Sequence, residues 1–148
     1  MPDRSLRIVR RFDVPPEAVF DAITQPDAMR VWWTDDTVFD IDLRVGGRWS
    51  ISREEDGMPL RMTGEYLEID RPRQLRQTIG MPDFSPGFDV VTFDIADDGD
   101  GGCVVTFEQT GSEIAAELEA LAPGDVSESE KGWQQGFDLM EAAWRAGT

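Results

Sequence analysis

The stretch Ser127-Glu128-Ser129-Glu130-Lys131-Gly132-Trp133-Gln134-Gln135-Gly136-Phe137-Asp138-Leu139-Met140-Glu141-Ala142-Ala143-Trp144-Arg145-Ala146 decides how the rest of the chain must fold. Ser127 followed three residues later by Glu130 is a capping box, in which the serine oxygen takes an orphan N–H of the first helical turn. Behind it Trp133, Phe137, Met140 and Trp144 recur at helical spacing, with Gln135, Asp138, Glu141 and Arg145 on the opposite face. The pattern predicts one long amphipathic helix ending near Ala146. Gly132 and Gly136 lie four apart inside it, and each costs about 1 kcal/mol relative to alanine. A close backbone approach or space left for a ligand would offset that cost.

Upstream the period changes from helical to two. Leu6, Ile8 and Phe12 share one phase of a strand over residues 5–14, with Arg7, Arg11 and Asp13 in the other. Arg10 falls in the apolar phase. Either its stem covers the core while its head reaches water, or its guanidinium turns inward to a carboxylate in a cavity. Val14-Pro15-Pro16-Glu17 closes the strand and opens a helix, where first-turn prolines lose no hydrogen bond. Val19, Phe20 and Ile23 are its apolar stripe, Gln25-Pro26-Asp27 breaks it, and a second short helix carries Met29, Trp32 and Trp33.

Strand patterns then follow one another. Phe39, Ile41, Leu43 and Val45 alternate with polar residues up to the Gly46-Gly47 turn, and Trp49 and Ile51 continue beyond it. Residues 54–59 read as a solvated loop. Leu60 and Met62 are out of phase with Leu67 and Ile69, which predicts a β-bulge near Gly64. Leu75, Gln77 and Ile79 mark a further strand after the Arg71-Pro72 turn. Residues 81–88 form a loop bearing Phe84 and Phe88, and two strands around Val91, Phe93, Ile95 and around Val105, Phe107 come next. The Asp97–Gly102 connection between them lacks the spacing and closing glutamate of a calcium loop. Ile114, Leu118 and Leu121 place a helix within 112–122, ended by Pro123-Gly124. This order gives an α+β domain: a curved antiparallel sheet of about seven strands around a long C-terminal helix, with two short helices after the first strand. No linker or repeat divides residues 1–148.

The composition narrows function. Fourteen Lys and Arg face 30 Asp and Glu, a net charge of −16 that repels nucleic-acid backbones and anionic lipid. There is no histidine and one cysteine, Cys103, so catalytic triads, His-bound metals and intrachain disulfides are out. No metal or other cofactor is expected. Neither an N-terminal apolar signal region nor an 18-residue apolar run is present, so a cytoplasmic protein without a membrane partner is expected.

Ile8-x-Arg10-x-Phe12 running into Pro15-Pro16-Glu17-Ala18-Val19-Phe20-Asp21-Ala22 resembles the opening of the START-like, or SRPBCC, superfamily. More narrowly it resembles the bacterial homologues of the activator of the heat-shock-protein-90 ATPase. Trp32-Trp33, Arg44-Val45-Gly46-Gly47, Gly64-Glu65-Tyr66-Leu67-Glu68-Ile69 and Gly132-Trp133 fit the same pattern, over about residues 6–146. The resemblance implies a helix-grip fold with a cavity between sheet and C-terminal helix, where superfamily members bind lipids, hormones or polyketides and some catalyse cyclisation or dehydration. It also implies a chaperone-associated, stress-response role.

The leading expectation is a non-enzymatic domain that binds a small hydrophobic molecule. Its candidate cavity residues are Trp33, Trp49, Met62, Phe84, Phe88, Trp133, Phe137 and Met140, with Arg10 and Tyr66 as polar candidates; Phe84 and Phe88 would act as a lid. The same aromatics also suit plain core packing. A chaperone-associated interaction domain, with a filled core and an exposed apolar patch, is the alternative. An enzyme would draw its proton carrier from Glu65, Glu68, Tyr66, Arg10 and Asp94, since no histidine exists. Asp35-Asp36 reads as a surface loop. A monomer or a homodimer fits equally.

Overall fold

Strands form where apolar residues alternate, and all seven join one antiparallel sheet in the order β1-β7-β6-β5-β4-β3-β2. The computed structural model describes residues 5–34 and 36–146; residues 1–4 and Asp35 of the acidic pair lie outside the described residues. The strands are β1 (Leu6–Phe12), β2 (Val38–Ile41), β3 (Arg48–Glu55), β4 (Met58–Asp70), β5 (Gln74–Gly80), β6 (Phe88–Asp97) and β7 (Cys103–Thr110). Helices α1 (Pro16–Thr24) and α2 (Pro26–Met29) follow β1, and α3 (Ser112–Glu119) and α4 (Glu128–Ala146) follow β7. The fold is the α+β helix grip expected from the sequence.

One face of the sheet collects the apolar phases: Ile8 opposite Phe107, Phe107 opposite Phe93, and Phe93 opposite Leu75, along one row across four strands. Across this face lies α4. Ser127 Oγ accepts from the Glu130 backbone N–H at 3.0 Å, the first half of the expected capping box. Trp133 packs on Phe107 with ring centroids 4.5 Å apart, Phe137 stacks against Phe12 at 6.0 Å, and Trp144 meets Phe12 edge-on at 5.4 Å. Phe137 and Met140 are each 1% exposed.

The two helix glycines separate cleanly. A Cβ on Gly136 would lie 2.8 Å from Trp32 Cε3, whereas one on Gly132 would meet nothing within 4 Å. Close approach explains Gly136 only. Gly136→Ala should therefore lower stability by about 1–3 kcal/mol, the usual cost of overpacking, while Gly132→Ala should raise it by up to about 1 kcal/mol. Thermal melts of the two variants that move together would refute this seating of α4.

Three local features depart from the sequence expectation. Residues 54–59 are no open loop: β3 runs to Glu55 and β4 begins at Met58, joined by Asp56 and Gly57 with φ of 53° and 79°. Positive φ at both central residues is the two-residue hairpin turn whose twist matches the strands. The bulge lies at Tyr66–Glu68, not at Gly64. It returns Ile69 to the inner face after Tyr66. Finally, α2 stops at Met29, so Trp32 and Trp33 sit in a turn whose backbone N–H groups still reach Met29 O at 3.1 and 3.2 Å.

Candidate binding cavity between the sheet and the last helix

A small cavity of about 30 Å³ remains between the sheet and α4. Trp49, Ile51 and Met62 supply its wall from β3 and β4, and Gln77, Ile79 and Phe93 from β5 and β6. Trp133 closes it from α4, and Met29, Trp32 and Trp33 close it from α2 and the turn beyond. A water molecule needs roughly 10–15 Å³ on this measure, so the space suits one or two waters; a drug-sized ligand needs about 300–1,000 Å³. The interior of the grip is nearly filled. A larger concavity of about 440 Å³ lies at the β2–β3 turn beside Asp42, Arg44 and Arg48. It is the more open of the two, and Arg44 Nε already donates to Asp42 at 2.8 Å, so the cavity under α4 is the better site.

Hydrogen bonds hold most of the cavity's polar atoms. Trp32 Nε1 donates to Ala22 O at 2.7 Å, Trp49 Nε1 to Thr78 O at 3.2 Å and Trp133 Nε1 to Gln109 Oε1 at 3.2 Å. The last bond continues outward. Gln109 Nε2 donates to Asp89 Oδ2 at 3.0 Å, and Asp89 accepts the backbone N–H groups of Glu113 (3.1 Å) and Ile114 (2.9 Å) at the start of α3. Gly111, the residue before α3, carries no capping side chain and has φ 138°. A carboxylate from the neighbouring strand therefore caps the helix and orients Trp133 through Gln109. By contrast, Trp33 Nε1 and Gln77 Oε1 are buried with no hydrogen-bond partner.

Of the residues singled out from sequence, Trp33, Trp49, Met62 and Trp133 come together around this cavity. Phe137 and Met140 are buried farther along α4 and do not line it. Phe84 and Phe88 do not line it either and are 67% and 52% exposed. The alternation of β6 explains Phe88: Asp89, Val91, Phe93 and Ile95 are buried, which turns Phe88 to the other face, against Gly80. The loop is tied to α3, Ser85 Oγ donating to Glu113 Oε1 at 2.6 Å, so it covers no mouth here.

Arg10 meets carboxylates, but on the flank of α4. Its guanidinium bonds Asp138 at 2.6 Å, approaches Glu141 at 3.8 Å and lies 5.5 Å from the Phe12 ring centroid. It fastens the first strand to the last helix. Tyr66 is buried opposite Gln77 on the neighbouring strand, and burial pushes its hydroxyl pKa well above the ordinary value. Glu65, Glu68 and Asp94 are all exposed, and Asp94 accepts from Gln74 Nε2 at 2.8 Å. Burial first, then Asp98 and Asp97, pushes the Cys103 thiol up to about 11, which leaves it protonated and inert at neutral pH. No cluster of three metal-ligating side chains occurs among the described residues.

Asp89, Gln109 and the unpaired atom of Gln77 were not singled out from sequence. A usable signal existed: each is a polar residue in the inward phase of its strand, as Arg10 is.

The sequence matches the family described as Activator of Hsp90 ATPase homolog 1-like protein over residues 13–144. The chain belongs to that family. Its AHSA1-like domain has the same fold as several solved structures. Protein CV1439 from Chromobacterium violaceum superposes with a TM-score of 0.74 at 25% identity, covering 94% of this chain and 96% of that one. Protein MLL2253 from Mesorhizobium loti gives a TM-score of 0.74 at 24% identity, covering 98% and 99%. PFC0360w, an HSP90 activator from Plasmodium falciparum, gives 0.65 at 19% identity, covering 90% and 86%. No curated protein matches the chain significantly. No helix among the described residues of this AHSA1-like domain is long and apolar enough to cross a membrane.

Proposed function

We infer that this AHSA1-like domain binds a small, mainly apolar molecule in the cavity between the sheet and α4. One observation carries the reading: part of the cavity's wall is built on neither a strand nor a helix. Trp32 and Trp33 stand in the turn that follows the end of α2 at Met29. Displacing that stretch enlarges the cavity without breaking the sheet, as loops that gate sites do. Among the described residues no carboxylate lines the cavity, which disfavours a cyclase or dehydratase.

Titration with the neutral fluorophore N-phenyl-1-naphthylamine tests the reading. Saturable binding at one site per chain is expected. Met62→Trp, which fills the cavity, should abolish it, and Phe84→Ala, far from the cavity, should leave it unchanged. Equal binding by native protein and Met62→Trp rejects the site.

A second reading is favoured by the opposite feature, the exposed pair of Phe84, on a loop anchored to α3, and Phe88 at the start of β6. Such a patch suits a protein partner, and the similarity to an HSP90 activator makes a heat-shock ATPase the partner to try. An ATPase assay showing no stimulation, or stimulation that survives Phe84→Ala with Phe88→Ala, removes it.

A further inference from the structure

Gln77 and Gln109 stand in one cross-strand row, on either side of Val91, and each is 8% exposed. Their partners differ. Gln109 uses its oxygen for the Trp133 indole and its nitrogen for Asp89. The Gln77 oxygen is buried with no partner and its side chain forms part of the cavity wall. In the other wall the Trp33 indole N–H is likewise unpartnered, although the three remaining indoles of the cavity all donate. Unpaired buried polar atoms lower stability. At position 77 a leucine would fill the same space without that loss, since Leu75 and Ile79 on either side already face the core. One acceptor and one donor on residues that line the cavity thus stay unpaired within the protein.

The geometry points to a neutral, flat aromatic ligand that offers an acceptor to Trp33 Nε1–H and a donor to Gln77 Oε1. This rests on the cavity reading above and specifies its ligand class. Flatness follows from the walls: four tryptophans, Trp32, Trp33, Trp49 and Trp133, line the cavity, and aromatic side chains favour planar partners. Neutrality follows because no described residue lining the cavity is charged, and because a net charge of −16 disfavours anions. The Arg53 guanidinium lies over the Trp33 ring, 5.5 Å from its centroid. The cavity of about 30 Å³ admits such a ligand only as far as the Trp33 turn yields.

Calorimetric titration with benzamide, benzoate and isopropylbenzene, three probes of similar size, tests this in native protein, Gln77→Leu and Trp33→Phe. Benzamide binding should weaken about five- to tenfold in each variant, and isopropylbenzene binding should stay within about twofold. Gln77→Leu should melt no lower than native protein, so weakening there is not unfolding. Equal changes for benzamide and isopropylbenzene overturn the proposal, as does benzoate binding the native protein as tightly as benzamide. If benzamide fails while N-phenyl-1-naphthylamine binds, the ligand class falls and the cavity reading stands; if neither binds, both fall.

Discussion

Asp89→Ala should melt about 10–15 °C below native protein, a loss of roughly 3–5 kcal/mol for a domain of this size. The side chain is 2% exposed and accepts three hydrogen bonds, from Gln109 Nε2 and from the backbone N–H groups of Glu113 and Ile114. Truncation leaves all three donors without an acceptor. Water cannot readily replace the carboxylate, because Ile114 and Gln109 are buried beside it. Each orphaned donor costs about 1–3 kcal/mol, and bonds to a charged acceptor sit at the upper end. Asp89→Asn keeps the shape and one oxygen, so it should fall between native and alanine. A second readout separates this relay from general destabilisation. Gln109 holds the Trp133 indole, so the emission of folded Asp89→Ala should shift where Trp133 contributes. A melt within about 3 °C of native would show that α3 needs no cap from β6.

The architecture was legible because periodicity carries it. The stripe Trp133-Phe137-Met140-Trp144 and the strand alternations needed no knowledge of partners, and burial sorted the residues accordingly. Local geometry was less legible. Asp56-Gly57 is a strong hairpin dipeptide, yet the acidic residues around it looked like an open loop. The site was legible only in part, because a phase shows which face a residue takes and not what lies across from it. Phe88 shares its strand with Val91 and Phe93 but not their face. Gln77 and Gln109 look alike in sequence, and only the approach of Asp89 and Trp133 makes one satisfied and the other not.

Gly64 shows the same limit, and its replacement is the second large effect expected. From sequence it marked a bulge; in the fold it is a crossing point. Trp49 on β3 stands opposite Gly64 on β4, and its indole reaches over that glycine to Thr78 O on β5. The neighbouring Glu65 N–H turns to the Thr78 hydroxyl at 2.9 Å. A Cβ at position 64 would lie 1.9 Å from Thr78 O and 2.7 Å from Trp49 Nε1. The first neighbour is backbone and cannot swing away. Gly64→Ala must therefore part β4 from β5 or expel the indole, which breaks the Trp49 hydrogen bond and opens the cavity wall together. A loss of about 3 kcal/mol or more is expected, near the top of the range for overpacking, with a melt roughly 10 °C lower. The glycines at 46, 57, 99, 101 and 124 supply the contrast, since a Cβ at any of them meets nothing within 4 Å. Gly64 is needed for space, so D-alanine placed there by synthesis, whose methyl points the other way, should recover more stability than L-alanine. If both enantiomers melt alike, Trp49 does not cross β4 at this glycine.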